Sequence, residues 1–164
     1  MTSTTPGTRE TLIEADPALP IIRITRDFDA PPDKVFRAWI DPDLVARWLG
    51  PRDSTIRIDS WDARTGGSYR YASVRNGEEV AAFYGSFHEV RPNARLVQTF
   101  TWEGMPDGVS LETMTFDDLG NGRTRCVGLS VVDSLEGRDA IMASGMEVGV
   151  NQGYEKLDEL LAKS

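Results

Sequence analysis

Between Ser54 and Asp133 apolar residues recur at nearly every second position, and residues that turns demand cut the run at short intervals. No other feature narrows the choice of fold so far. A period of two means half-buried strands, and short gaps mean antiparallel neighbours rather than crossover units. The spacing predicts strands over 54–61, 67–75, 79–90, 95–103, 109–117 and 123–132. The separators are Thr65-Gly66-Gly67, Asn76-Gly77, Arg91-Pro92-Asn93, a Gly- and Pro-containing stretch at 104–108, and Leu119-Gly120-Asn121-Gly122. Each carries the residues that tight turns require.

The flanks read differently. Pro20 to Phe28 alternates, with Ile22, Ile24 and Phe28 on one side and Arg23, Thr25 and Asp27 on the other, which predicts a further strand. Two short helices follow. In the first, Pro31 and Pro32 suit an opening turn, and Val35, Phe36, Trp39 and Ile40 form one apolar face. In the second, Asp41 caps, Pro42 opens and Gly50-Pro51 stops the helix, while Leu44, Val45, Trp48 and Leu49 repeat the spacing. From Gly137 to Ala162 the period becomes helical, and Gly145, Gly149 and Gly153 fall four apart along one ridge. A glycine inside a helix costs about 1 kcal/mol against alanine, so the ridge needs a reason: close approach to the sheet, or room for something bound. Residues 1–19, rich in Thr, Pro and small side chains, read as a flexible tail, with 11–14 resting on the body. The expectation is a single α+β domain over 20–163. It has seven antiparallel strands against one long C-terminal helix, and two short helices close one end.

Charge and residue counts exclude several classes of function. The net charge of −8 and thinly spread Arg and Lys argue against nucleic acid and against an anionic membrane surface. Cys126 is the sole cysteine and His88 the sole histidine. An intrachain disulfide is impossible, and a Cys/His metal site or a Ser-His nucleophile arrangement has almost nothing to be built from. His88, between Phe87 and Glu89 on a strand, reads as a surface residue, and Cys126 as a small buried hydrophobe. With no signal-like segment and no spanning stretch, the expected location is the cytoplasm.

Three segments, in order, carry a resemblance. ITRDFDAPPDKVFRAWIDPDLVARWLGP, then GGSYRY with FYGSFHEVRPNARLVQTFTW, then RDAIMASGMEVGVNQGYEKLDELL resemble the signatures of activator-of-heat-shock-ATPase-homologue-like proteins. These belong to the START-like, or SRPBCC, superfamily, with plant pollen allergens and polyketide cyclases. The resemblance covers about residues 20 to 162. It implies a helix-grip fold: a sheet wrapped round a long C-terminal helix, with an elongated hydrophobic cavity between them. Two positions depart from the family pattern, Leu49 and Val150, where relatives commonly carry tryptophan, and both bear on cavity shape.

The alternation then nominates the cavity walls. Tyr69 and Tyr71, Phe100 and Trp102, and Met114 each share a strand face with their neighbours at i±2. Such residues are either plain core or an apolar pocket with polar handles. Gln98 and Glu112 lie on the registers of Phe100 and Met114. Either they face inward beside a ligand, or a bulge turns them to solvent. Inward, a buried Glu112 has a raised pKa and is the one cavity carboxylate available for acid–base work. Trp48 closes the mouth from the second short helix, and Met146 and Gly149 face it from the long one. Three functions compete: binding of a small hydrophobic or aromatic molecule, catalysis on a polyketide-like ligand in the same cavity, and a cochaperone-like role in stress. The binding reading needs only the cavity, with no cofactor and no metal. Elemental analysis of the purified protein is expected to find no stoichiometric transition metal. One that resists chelation would overturn that reading.

Overall fold

A computed structural model describes residues 10–163. Eight strands form one antiparallel sheet: β1 Leu12–Ala15, β2 Ile21–Phe28, β3 Thr55–Trp61, β4 Ser68–Arg75, β5 Glu78–Arg91, β6 Arg95–Trp102, β7 Ser110–Gly120 and β8 Arg123–Val131. Their spatial order is β1-β2-β8-β7-β6-β5-β4-β3. The last six are the meander foreseen from the alternation. Their bounds fall within a few residues of the expected ones, β7 running on to Gly120, because the turns carry the required geometry. Asn76-Gly77 and Asn121-Gly122 all take positive φ, which lets two-residue hairpins follow the twist of their strands.

β2 returns beside β8, with Ile22 opposite Ser130 and Asp27 opposite Arg125. The strand count is a correction: among the described residues there are eight, not seven. Leu12–Ala15, read from sequence as tail, pairs with β2 in the register Ile13↔Ile24 and covers its outer edge. A four-residue strand is too short for alternation to reveal, and an edge strand needs only one ladder of hydrogen bonds. The rest of the expected tail, residues 1–9, lies outside the described residues.

The helices lie on one face of this sheet. α1 Pro32–Ile40 buries Val35, Phe36 and Ala38, and α2 Pro42–Trp48 buries Val45 and Trp48. The Asp41 carboxylate accepts the N–H of Asp43 at 3.0 Å, the cap expected of it. The single long helix expected over 137–162 is two: α3 Leu135–Ala143 and α4 Met146–Ala162. Gly145 breaks them with φ +84°, a conformation glycine takes without strain and a continuing helix cannot use. The Ser134 hydroxyl accepts the N–H of Gly137 at 2.9 Å to start α3. No helix among the described residues is long and apolar enough to cross a membrane.

Two of the three ridge glycines therefore have a local reason, the turn at Gly145 and the packing at Gly153, and the close approach is to α2 rather than the sheet. A Cβ at Gly153 would sit 3.0 Å from the carbonyl oxygen of Trp48, whereas one at Gly149 would meet only Pro51 Cδ, at 3.6 Å. Gly149→Ala is expected to gain about 1 kcal/mol from helix propensity. Gly153→Ala is expected to lose stability, because a backbone carbonyl does not move aside as a side chain does. Urea unfolding of both variants checks this, and equal effects would mean that Gly153 does not set the α2–α4 distance.

Candidate functional site

Helices and sheet do not meet along their whole length. Between them lies a cavity of about 450 Å³, well within the range of small-molecule sites. The sheet contributes Tyr69 and Tyr71 from β4, Gln98 and Phe100 from β6, and Glu112 and Met114 from β7. The helices contribute Trp48 from α2 and Met146 and Gly149 from α4. The structure thus brings together nine of the ten residues nominated from sequence. Trp102 is the exception. It shares the face of Phe100 by alternation, but at the strand end it is 47% exposed and lies against Gly104 in the following turn.

Other walls went unnominated. Trp61 of β3 lines the cavity because the register shifts between Ile58 and Ser60, moving the strand's inward set by one residue. Strict alternation cannot foresee a bulge. Trp39 and Phe83 also face inward, as does Ser130. Ser130 was findable, since Cys126, Gly128 and Ser130 are one face of β8. His88 is exposed, at the bulge between Phe87 and Glu89, and stays outside the site.

The walls are aromatic and largely apolar. Tyr69 and Tyr71 stack with centroids 6.1 Å apart, Phe83 and Phe100 at 5.2 Å, and Trp39 tilts on Trp48 at 4.7 Å. The indole N–H of Trp48 donates to Ala38 O at 2.9 Å and that of Trp61 to Ile40 O at 2.8 Å. Both polar handles are thus taken up by the end of α1, and the rings offer the cavity apolar surface.

Across this surface runs one polar line. Tyr69 Oη donates to Thr99 O at 2.6 Å and accepts from Gln98 Nε2 at 3.1 Å. It reaches that carbonyl over Gly85, its cross-strand neighbour, where an added Cβ would lie 2.7 Å from the phenol oxygen. Gln98 stands opposite Glu112, and Glu112 opposite Ser130, with no bulge at these positions. Ser130 Oγ donates to Glu112 Oε2 at 3.0 Å. The open alternatives for Gln98 and Glu112 resolve inward. Burial pushes the Glu112 carboxyl from the usual 4.5 up to about 7, the Ser130 hydrogen bond opposing it in part. Burial, and then the nearby Glu112 charge, raises the phenol of Tyr69, and Tyr71 is raised by burial before any charge. Chemically the site offers an apolar slot, one carboxyl near its neutral point, and an amide and a hydroxyl beside it.

A curved antiparallel sheet holding a C-terminal helix over such a cavity defines a helix-grip protein of the START-like, or SRPBCC, class. Residues 29–162 match the family described as Activator of Hsp90 ATPase homolog 1-like protein, and the chain belongs to that family. A Rhodobacter sphaeroides protein of known structure is similar over 94% of this chain and 100% of its own, at 24% identity and TM-score 0.85. A protein of the dynemicin biosynthetic locus matches 87% of this chain with 47% of its own, at 21% identity and TM-score 0.65. An Hsp90 activator from Plasmodium falciparum matches 68% of this chain and 71% of its own, at 19% identity and TM-score 0.52. At these identities the likeness is one of fold. No curated protein matches the chain.

The Glu112 shift has a measurable consequence. A carboxyl whose folded pKa is raised stabilises the fold fully below its unfolded value near 4.5, and that contribution is lost as pH climbs through about 7. The shift corresponds to about 3 kcal/mol. Glu112→Gln is expected to be more stable than the parent at pH 8, by up to about that amount, and no more stable at pH 4.5. Urea unfolding at the two pH values reads the difference. A pH-independent difference would mean that Glu112 ionises freely.

Proposed function

We propose that the protein binds a small hydrophobic or aromatic molecule in this cavity and carries or sequesters it unchanged. The observation that carries the reading is the cavity itself: about 450 Å³ with an almost continuous aromatic and aliphatic lining. A packed core would have closed such a space, since a void of this size loses the contacts of every side chain around it. Met114 and Met146 add adaptable surface, which suits more than one ligand shape. The one free thiol, Cys126, is buried on β8 and suits a reducing cytoplasm.

Glu112 favours a second reading, an enzyme of cyclase or hydrolase type on a polyketide-like ligand, because a carboxyl near neutrality can exchange a proton at physiological pH. Among the described residues lining the cavity, however, no second group titrates near neutrality to act with it. A cochaperone role rests on the family name and on the Plasmodium neighbour, and a fold shared at 19% identity does not carry activity across. Native mass spectrometry of the protein as purified is expected to show a copurifying small molecule. Gly149→Leu, which projects a side chain toward Pro51 at the cavity wall, is expected to stay folded and lose that molecule at least about tenfold. A folded variant that retains it would put the ligand elsewhere.

A further inference from the structure

Among the described residues, Glu112 is the one lining side chain that carries charge, and no Lys, Arg or His faces it across the cavity. Its Oε2 accepts from Ser130, while its Oε1 accepts no hydrogen bond from the described residues. It is half-buried, and the surface it keeps opens to the cavity. A carboxyl among apolar walls is costly unless something pairs with it. Building one there, with a hydroxyl holding one oxygen and the other turned loose, is the arrangement of a receptor for a hydrogen-bond donor.

The surroundings say which donor. An anionic ligand, such as a fatty acid or a phosphate ester, would bring a second negative charge to Glu112 and find no cation. A neutral hydroxyl would be served by Gln98 and Ser130 without an acid. A cation offsets the carboxylate and gains from the rings as well, because aromatic faces attract positive charge. Resting on the cavity reading above, we propose that the cavity selects an aromatic amine, its ammonium on the Glu112 carboxylate and its ring between the tryptophan and tyrosine walls.

The pairing has a direction with pH. The titratable groups near Glu112 are Tyr69 and Tyr71 from β4 and Tyr154 from α4, all pushed upward by burial first, so they stay neutral. Its neighbours Gln98 on β6 and Ser130 on β8 do not titrate, nor do Trp39 of α1, Trp48 of α2 or Ile141 of α3. Among the groups that face the cavity only Glu112 changes charge between pH 5.5 and 8, and an ammonium binds its ionised form.

The test is isothermal calorimetry with four probes on one ring: 2-(2-naphthyl)ethylamine, 2-(2-naphthyl)ethanol, 2-ethylnaphthalene and 2-naphthylacetate. At pH 8 the amine is expected to bind about tenfold tighter than ethylnaphthalene, and the acetate more weakly than either. The amine's advantage is expected to vanish at pH 5.5 and in Glu112→Gln at pH 8. If the variant does not fold, the pH comparison on the parent chain decides alone. Ethylnaphthalene bound with no gain for the amine, or an alcohol preferred to the amine, overturns amine selection and leaves the cavity reading standing. An advantage that survives in Glu112→Gln or at pH 5.5 also overturns it. If none of the probes binds, both readings fall.

Discussion

The arrangement depends on Arg26 being where it is. It sits on the helix-covered face of β2, 3% exposed, with its guanidinium 4.8 Å above the ring of Phe28. Both of its terminal nitrogens reach Asp158 of α4, at 2.9 and 2.6 Å. A two-pronged pair of this kind fixes distance and rotation together, which apolar packing alone does not. Burying it is costly, so such a pair serves to specify an arrangement more than to stabilise it. Around it collect Phe28 edge-on to Tyr154 at 5.3 Å and the fully buried Leu157. The C-terminal half of α4 is thereby held at one end of the sheet.

Geometry then sets the other end. With one end held, the remaining turns of α4 are kept off the sheet by α2, whose final carbonyl oxygen lies 3.0 Å from where a Cβ of Gly153 would be. Trp48 fills the angle between them and is itself tied to α1 through Ala38 O. The space left under Met146 and Gly149 is bounded by the large aromatic residues of β3 to β6. Cavity and core are thus two ends of one apolar layer.

Much of this was legible in the residues. Alternation and turn chemistry locate six strands of the meander within a few positions, because each hairpin supplies its own local signal. Pairing register is not local. Whether Glu112 faced in or out depended on an unbroken ladder across β6, β7 and β8, and the inward turn of Trp61 on a bulge in β3. Trp102 obeyed alternation and was still misplaced, since alternation names a face and not where along the sheet the cavity ends. Asp27 alternates with the polar side of its strand, yet it is buried in a two-pronged pair with Arg125 at 2.7 and 2.9 Å. Its partner lies 98 residues away, out of reach of any window along the chain. The break at Gly145 was hidden because the apolar stripe continues on both sides of it.

The placement of the tryptophans has an optical side. Of the four, Trp39, Trp48 and Trp61 line the cavity, while Trp102 lies outside it and is 47% exposed to solvent. Their emission therefore divides in two: a short-wavelength part from indoles in apolar surroundings, and a long-wavelength part from one relaxed by water. Trp39 and Trp48, 4.7 Å apart, share excitation, so whatever enters beside one is felt by both. Trp102 is indifferent to it. The chain carries a built-in gauge of whether its cavity is occupied, together with the internal standard against which to read it.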